Sequence, residues 1–379
     1  VRQSYDDYLP SVQHDNDVDD ILLSLLSSEE EEKNNNMLSA AAMMSTAAYP
    51  LYYQNNKNYE YQFFLTPTSW HVTDAGRRSS PRPSWKLPHL NDSVQQVLRW
   101  VKQWFDEGSN AFIHKHLYGP DGSGMPKYMQ DAYTACAAYF GCTERNRSMV
   151  LRIIEDRVRM LLDEEQDESL SWGLSAATAT ARKGVVAEHL ARVQALLAYQ
   201  VLRLLSGDAR QRSMAEELFP TLRGWSMQML ECALLSSQYV QQQQLISSDS
   251  MAMVAEAPAA QKRESEWQAW ILAESVRRTW LVAGHTQCIY GLLRNGISTC
   301  PGGLMFTTRE GLWQANSAEE WWEKCWQKDV LFCHSLETHT QLIKKARPEE
   351  VDDFGMFVLR ILSEKEEVER VWLDSPESV

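Results

Sequence analysis

Glu264-Ser265-Glu266-Trp267-Gln268-Ala269-Trp270-Ile271-Leu272-Ala273-Glu274-Ser275-Val276-Arg277-Arg278-Thr279-Trp280 opens the most strongly helical stretch of the chain, residues 264–293. Trp267 and Trp270 are three residues apart and Trp280 continues the series, a spacing that lays bulky side chains along a helix. Glu274 and Arg278 are four apart with the acid first, the favourable order for a helical ion pair. Facing water, such a pair contributes only ~0.3–0.5 kcal/mol. Facing inward among the tryptophans, loss of one partner strands a buried charge at a cost of ~3–5 kcal/mol. The pair therefore reads as a structural clamp between neighbouring helices and not as a catalyst. Fourteen tryptophans are many for 379 residues, and Trp321, Trp322 and Trp326 share a later helix. Trp267, Trp270, Trp280, Trp321 and Trp322 are expected to build an interhelical core, with a pocket for a small apolar effector as the sharper alternative.

Working outward, Cys300-Pro301-Gly302-Gly303 is turn chemistry followed by a short strand. Ser317-Ala318-Glu319-Glu320 is a capping box that predicts a helix to about residue 345. Pro348 suits a first turn, and 349–371 reads as the last helix. Toward the N-terminus, 241–260 is low in complexity and reads as a flexible insertion. Residues 210–240 are helical with a break at Pro220. A strong helix over 185–205 ends at Gly207, after a polar connection at 164–184. Helices are also expected over 145–162 and 127–141. The first has Val94, Val97, Leu98, Val101 and Phe105 on one face, Ser93 and Gln96 as a capping box, and Gly108 as its stop. The sum is an all-α fold, a large irregular bundle of about eight helices with no repeat period. Order is expected over 92–373.

Residues 1–91 lack this patterning and are expected to be a disordered acidic region and linker. Ten acids face only Arg2 and Lys33 in the first 36 residues, a self-repelling composition. Within it, Ile21, Leu22, Leu23, Leu25 and Leu26 sit between acids, a pattern that suits an activation segment folding on a coactivator. Short arginine groups at 77–82 among prolines read as linker or as part of a nuclear import signal.

A formal net charge of −14 repels phosphate backbones, so direct DNA binding needs a separate basic module or a partner. The seven cysteines are widely spaced, none two residues from another, and read as reduced thiols. His114 with His116, His285 with Cys288, and Cys333-His334 with His339 resemble ligand pairs, but each lacks the second pair that a closed tetrahedral zinc site needs. No nucleophile elbow or phosphate loop is present. Acid pairs such as Glu155-Asp156 read as solvated helix surface. No run of ~18 apolar residues could cross a membrane. The first residue is Val1, not Met, as expected of a fragment, a processed product or an incomplete gene prediction.

Trp267 to Thr279 resembles the Trp-x-x-Trp-x-x-x-Glu-Ser-x-Arg-Arg-Thr segment in the regulatory (middle homology) domain of fungal-specific zinc-cluster-type transcription factors. Phe112-Ile113-His114-Lys115-His116-Leu117-Tyr118, with Met125-Pro126 and Gln130 to Tyr139, is similar to an upstream block of that group. Phe306-Thr307-Thr308-Arg309-Glu310-Gly311-Leu312-Trp313 and Ser317 to Trp322 are similar to a downstream block. The resemblance covers about 92–373. It implies a nuclear transcription regulator, often of a metabolic or secondary-metabolite gene cluster, that works with transcription machinery or coactivators and in some cases as a homodimer. It also implies a zinc cluster of six cysteines, which these residues do not contain, since Cys136 is the first cysteine. Zinc, and with it DNA reading, is expected only from a module upstream of Val1 or from a partner. The rival reading is a helical scaffold that binds a protein or small molecule without DNA. A helical enzyme is a third class, with no residue pattern to support it.

Overall fold

Two helices, each buried over most of its circumference, stand at the centre of the molecule. A computed structural model describes residues 60–73, 87–119, 122–168, 179–249, 259–296, 298, 300–362 and 372. The described helices are α1 (Leu87–Glu107), α2 (Lys127–Phe140), α3 (Arg147–Glu168), α4 (Ala179–Leu204), α5 (Ala209–Glu216), α6 (Phe219–Asp249), α7 (Ala259–Asn295), α8 (Ala318–Gln327), α9 (Thr338–Lys345) and α10 (Asp353–Leu362). The only sheet among the described residues pairs β1 (Met305–Thr307) antiparallel with β2 (Phe332–His334), Phe306 opposite Cys333. The fold is all-α.

From Leu190 to Leu204 nearly every side chain of α4 is buried, as is most of α7 from Trp267 to Ile289. A helix that is buried all round belongs to the middle of a large helical core. Helix α4 packs on α2, α6 and α7, while α7 also meets α1, α8 and β1. Helix α1 lays Val94, Val97, Val101 and Trp104 against this core and ends at Gly108, whose positive φ of 73° completes the C-terminal turn.

Several local expectations shift. Helix α1 begins at Leu87, so Ser93 and Gln96 are interior to it and form no cap. Helix α3 runs on to Glu168 and α4 starts at Ala179, which shortens the connection between them. Pro220 lies in the first turn of α6, where its missing N–H costs nothing, and the break falls just before it. Residues 241–249, expected to be flexible, continue α6.

The stretch read as one helix to residue 345 is instead α8, a strand, a short 3-10 turn and α9. Asp329 Oδ1 accepts the Leu331 N–H at 2.9 Å, and Leu331 has a φ of 51°, so a local turn outcompetes the helix there. Strand β2 then finds its partner about 27 residues upstream, a contact that no local pattern announces. At the start of α8, Ser317 Oγ accepts the Glu320 N–H at 3.2 Å, but Glu320 binds the Asn316 N–H instead of closing the box. The last helix is likewise divided. A 3-10 turn at Pro348–Glu350 is followed by extended Val351, then by Asp352 and α10.

Residues 60–73 carry two 3-10 helices, Glu60–Leu65 and Pro67–Trp70. Phe63, Phe64 and Trp70 are buried in the main core, and contacts join Tyr61 onward into one unit. The packed body therefore starts before Asp92. Turns of this kind carry no hydrophobic period, so the sequence pattern is silent on them. Ile21, Leu22, Leu23, Leu25 and Leu26, and the arginine groups at 77–82, lie outside the described residues.

Candidate functional site

Helix α7 carries Glu274, Arg277 and Arg278 into the interior, all at most 2% exposed. Arg278 Nε donates to Glu274 Oε1 at 3.1 Å, the pairing expected from their spacing. The same guanidinium also bonds Asp352 Oδ2 at 2.6 Å, the Thr307 carbonyl at 2.9 Å and the Ala111 carbonyl at 3.2 Å. Its plane lies over the rings of Trp313 and Phe354, at 4.2 and 4.7 Å. Five donors in a fixed fork suit this many-sided contact.

The two acids are held in turn. Glu274 Oε1 accepts the Thr307 N–H at 2.9 Å, which ties β1 to α7. Asp352 Oδ1 accepts from Thr308 Oγ1 at 2.7 Å and from the Gly355 N–H at 2.8 Å, the second bond capping α10. Gly355 has to be glycine here, because a Cβ on it would lie 1.7 Å from Thr308 Oγ1.

Arg277 turns to the other side of α7. It donates to the Phe64 carbonyl and, at 2.8 Å, to Ser69 Oγ, with its guanidinium 3.9 Å from the Trp70 ring. It thereby fastens residues 64–70 to α7. Glu274 and Asp352 balance Arg277 and Arg278, so the buried set is formally neutral. Burial pushes the Glu274 carboxyl up, against the pull of both guanidiniums and the Thr307 N–H. Burial lowers Arg277 to about 10, which leaves it cationic at neutral pH.

The tryptophans pack beside this cluster. Trp270 stands 5.6 Å from Trp321 and 6.0 Å from Trp313, and all three are buried. Trp267 and Trp280 are buried too, while Trp322 is only partly buried, edge-on to the half-exposed Trp326. His114 fits against Trp313 at 4.8 Å and against Trp267 and Trp270 at 6.2 Å each. Its Nδ1 accepts the His116 N–H at 3.1 Å, whereas Nε2 has no well-aligned partner, only the Trp313 backbone beside it.

Burial first, then the charges of His116, Lys115 and Arg278, lower His114 to about 3. The folded state thus favours neutral His114, and unfolding takes up a proton at any pH between about 3 and about 6.5. Stability from this group is complete above about 6.5 and falls as the pH drops, by about 1.4 kcal/mol per unit. An Asn at 114 keeps an acceptor for the His116 N–H but cannot titrate. The stability gap between wild type and His114→Asn is expected to shrink by about 2 kcal/mol from pH 6.5 to pH 5 in urea unfolding. A constant gap would contradict the assignment.

The chain is 28% identical to the transcription factor gsfR2 of Penicillium aethiopicum over 263 residues, 69% of this chain and 56% of that protein. The chain is related to a fungal transcription factor. It spans about half the length of this curated relative. No family model matches the chain, and no solved structure matches it.

The structure brings together Glu274 and Arg278 and, nearby, Trp267, Trp270 and Trp321, while Trp322 lies toward the surface. A cavity of about 180 Å³ does open beside α7, but its aromatic wall is Phe64 and Trp70; none of Trp267, Trp270, Trp280, Trp321 or Trp322 lines it. Trp267, Trp270, Trp280 and Trp321 are buried in the core, and Trp322 is partly buried against it. Among the described residues, no three His, Cys, Asp or Glu side chains form a group able to hold a metal. Nor is any described helix long and apolar enough to cross a membrane. Asp352, Thr308 and Arg277 belong to the cluster but drew no role from sequence alone. A signal existed for one of them: two adjacent arginines within an apolar helix, with a single acid four residues before the second, leave one buried cation in need of a partner.

Proposed function

We propose that this chain is the helical regulatory body of a fungal transcription regulator, acting in the nucleus, with DNA reading supplied by a separate module or by a partner. The observation that carries the reading is the likeness to a fungal transcription factor across 263 residues. The acidic balance supports it, since a net charge of −14 disfavours phosphate contact by these residues themselves. We assign the targets to a metabolic or secondary-metabolite gene cluster and the partners to coactivators or transcription machinery, with Ile21 to Leu26 as the recruiting segment. Zinc belongs to the DNA-reading module and not to these residues. In this reading, Glu274 and Arg278 with Asp352 act as the clamp that gives the body one defined shape to present to partners. No catalysis is assigned.

The test is a fusion of residues 1–379 to a heterologous DNA-binding module in a fungal reporter strain. Reporter output is expected to differ from that of the module alone, and to return toward it when Leu22, Leu23, Leu25 and Leu26 are changed to alanine. A fusion that is stably expressed and nuclear yet leaves output unchanged would overturn the reading.

A further inference from the structure

The cavity beside α7 is bounded by the 3-10 segment at Phe64 and Trp70 and by faces of α4, α6 and α7. Its walls are mainly apolar, with Val186 of α4, Ala233 and Val240 of α6, and Ala269, Leu272 and Ala273 of α7. At about 180 Å³, and partly open to solvent, it has room for a molecule of benzene's size.

Two of the lining residues carry a buried polar atom without a partner, alongside the polar Lys183, Ser236, Ser237 and Ser265 of the same wall. Trp70 is 5% exposed, and its indole Nε1 is buried without a hydrogen-bond partner. Glu266, one turn before Trp270 on α7, has a buried Oε2 that is also without a partner. Buried polar atoms are nearly always paired, because each unpaired one costs about 1–3 kcal/mol. Burial raises the Glu266 carboxyl above its ordinary range, against the pull of Lys262. An apolar chamber with a donor and an acceptor left open in its wall has the makeup of a ligand site.

We propose that this cavity binds a small, largely apolar molecule that donates a hydroxyl or amine hydrogen to Glu266 and offers an oxygen to the Trp70 N–H. The site lies apart from the Trp267–Trp321 core. It joins the 3-10 segment to three helices, so an occupant would brace residues 64–70 against α7, the contact that Arg277 already makes. The proposal does not depend on the regulatory reading, because binding is measured on the chain itself.

The probes are indole, whose N–H can donate to Glu266, and benzofuran, of the same shape, whose ring oxygen can accept from the Trp70 N–H, so each meets one half of the site. Calorimetric titration of the full 379-residue chain is expected to show saturable binding of both, indole the tighter. Glu266→Ala should weaken indole by about tenfold and leave benzofuran little changed, as a hydrogen bond to a carboxylate implies. Ala269→Trp fills the chamber and should abolish both. Ser265→Trp, at an exposed rim position, narrows the mouth without altering the core and should weaken both even if Ala269→Trp fails to fold. Absence of saturable binding overturns the proposal. So does binding that survives Ser265→Trp unchanged, since the probes would then sit elsewhere. Equal loss of indole and benzofuran in Glu266→Ala would overturn the role given to that carboxylate.

Discussion

Arg278→Met is expected to lower the unfolding free energy by about 3–5 kcal/mol, the cost of breaking a buried ion pair from one side. Methionine fills much of the arginine stem but leaves Asp352 without its cation and Glu274 with Arg277 alone, and leaves the Ala111 and Thr307 carbonyls without their donor. Arg278→Lys keeps the charge, yet one ammonium cannot reproduce the fork that meets Glu274, Asp352 and two carbonyls at once, so only part of the loss should return. Adding Glu274→Gln to Arg278→Met should also recover part of it, because the change removes one uncompensated charge. Urea unfolding followed by helical circular dichroism reads all three. A methionine variant as stable as wild type would show that the cluster contributes nothing.

Arg277→Ala should cost about 3 kcal/mol, through the lost donor to the Phe64 carbonyl and Ser69 and the hole left by a fully buried side chain. Its signature is regional. Residues 64–70 are tied to α7 by the Arg277 donors to the Phe64 carbonyl and Ser69 Oγ and by its stack on Trp70, and to α6 by the Gln241 donor to the Leu65 carbonyl. Amide hydrogen exchange in that stretch should quicken well before exchange in α4 does, as expected when a weakly held unit opens first. Unchanged protection of 64–70 would contradict the role given to Arg277.

Sequence made the helices readable where the core imposes a 3.6-residue period. The helices α2, α4 and α7 follow directly from their apolar spacing, and Gly108 and Gly207 mark ends where a positive φ is required. The ion pair within α7 was legible for the same reason, since an i, i+4 relation is a local fact. What sequence does not show is whatever is settled by contacts between distant residues. Strand β2 forms because β1 is there to pair with it. Asp352 is an ordinary acid before an apolar run until folding sets it 2.6 Å from Arg278, 74 residues upstream. Residues 60–73 form 3-10 turns without periodicity, so Arg277's partners and the aromatic wall of the cavity stayed out of reach. The tryptophans illustrate the opposite limit. Their spacing is the same for packed core as for a pocket wall or an exposed face: Trp270 packs on Trp313 and Trp321, while Trp322 is partly buried and Trp326 half exposed.

Three blocks of the sequence, around 112–139, 267–279 and 306–322, meet at one side chain. Arg278 in the central block bonds Ala111 beside the upstream block, and it bonds Thr307 and stacks on Trp313 in the downstream one. We propose from this convergence that this stretch of α7 organises the body and is not a surface for partners. The direct test measures thermal stability and reporter regulation together for Glu274→Ala in the fusion protein. Stability and regulation should fall in step, because the variant strips Arg278 of a partner and Thr307 of its acceptor. A Glu274→Ala protein that keeps full thermal stability yet loses regulation would contradict this, and would make the segment a contact surface instead.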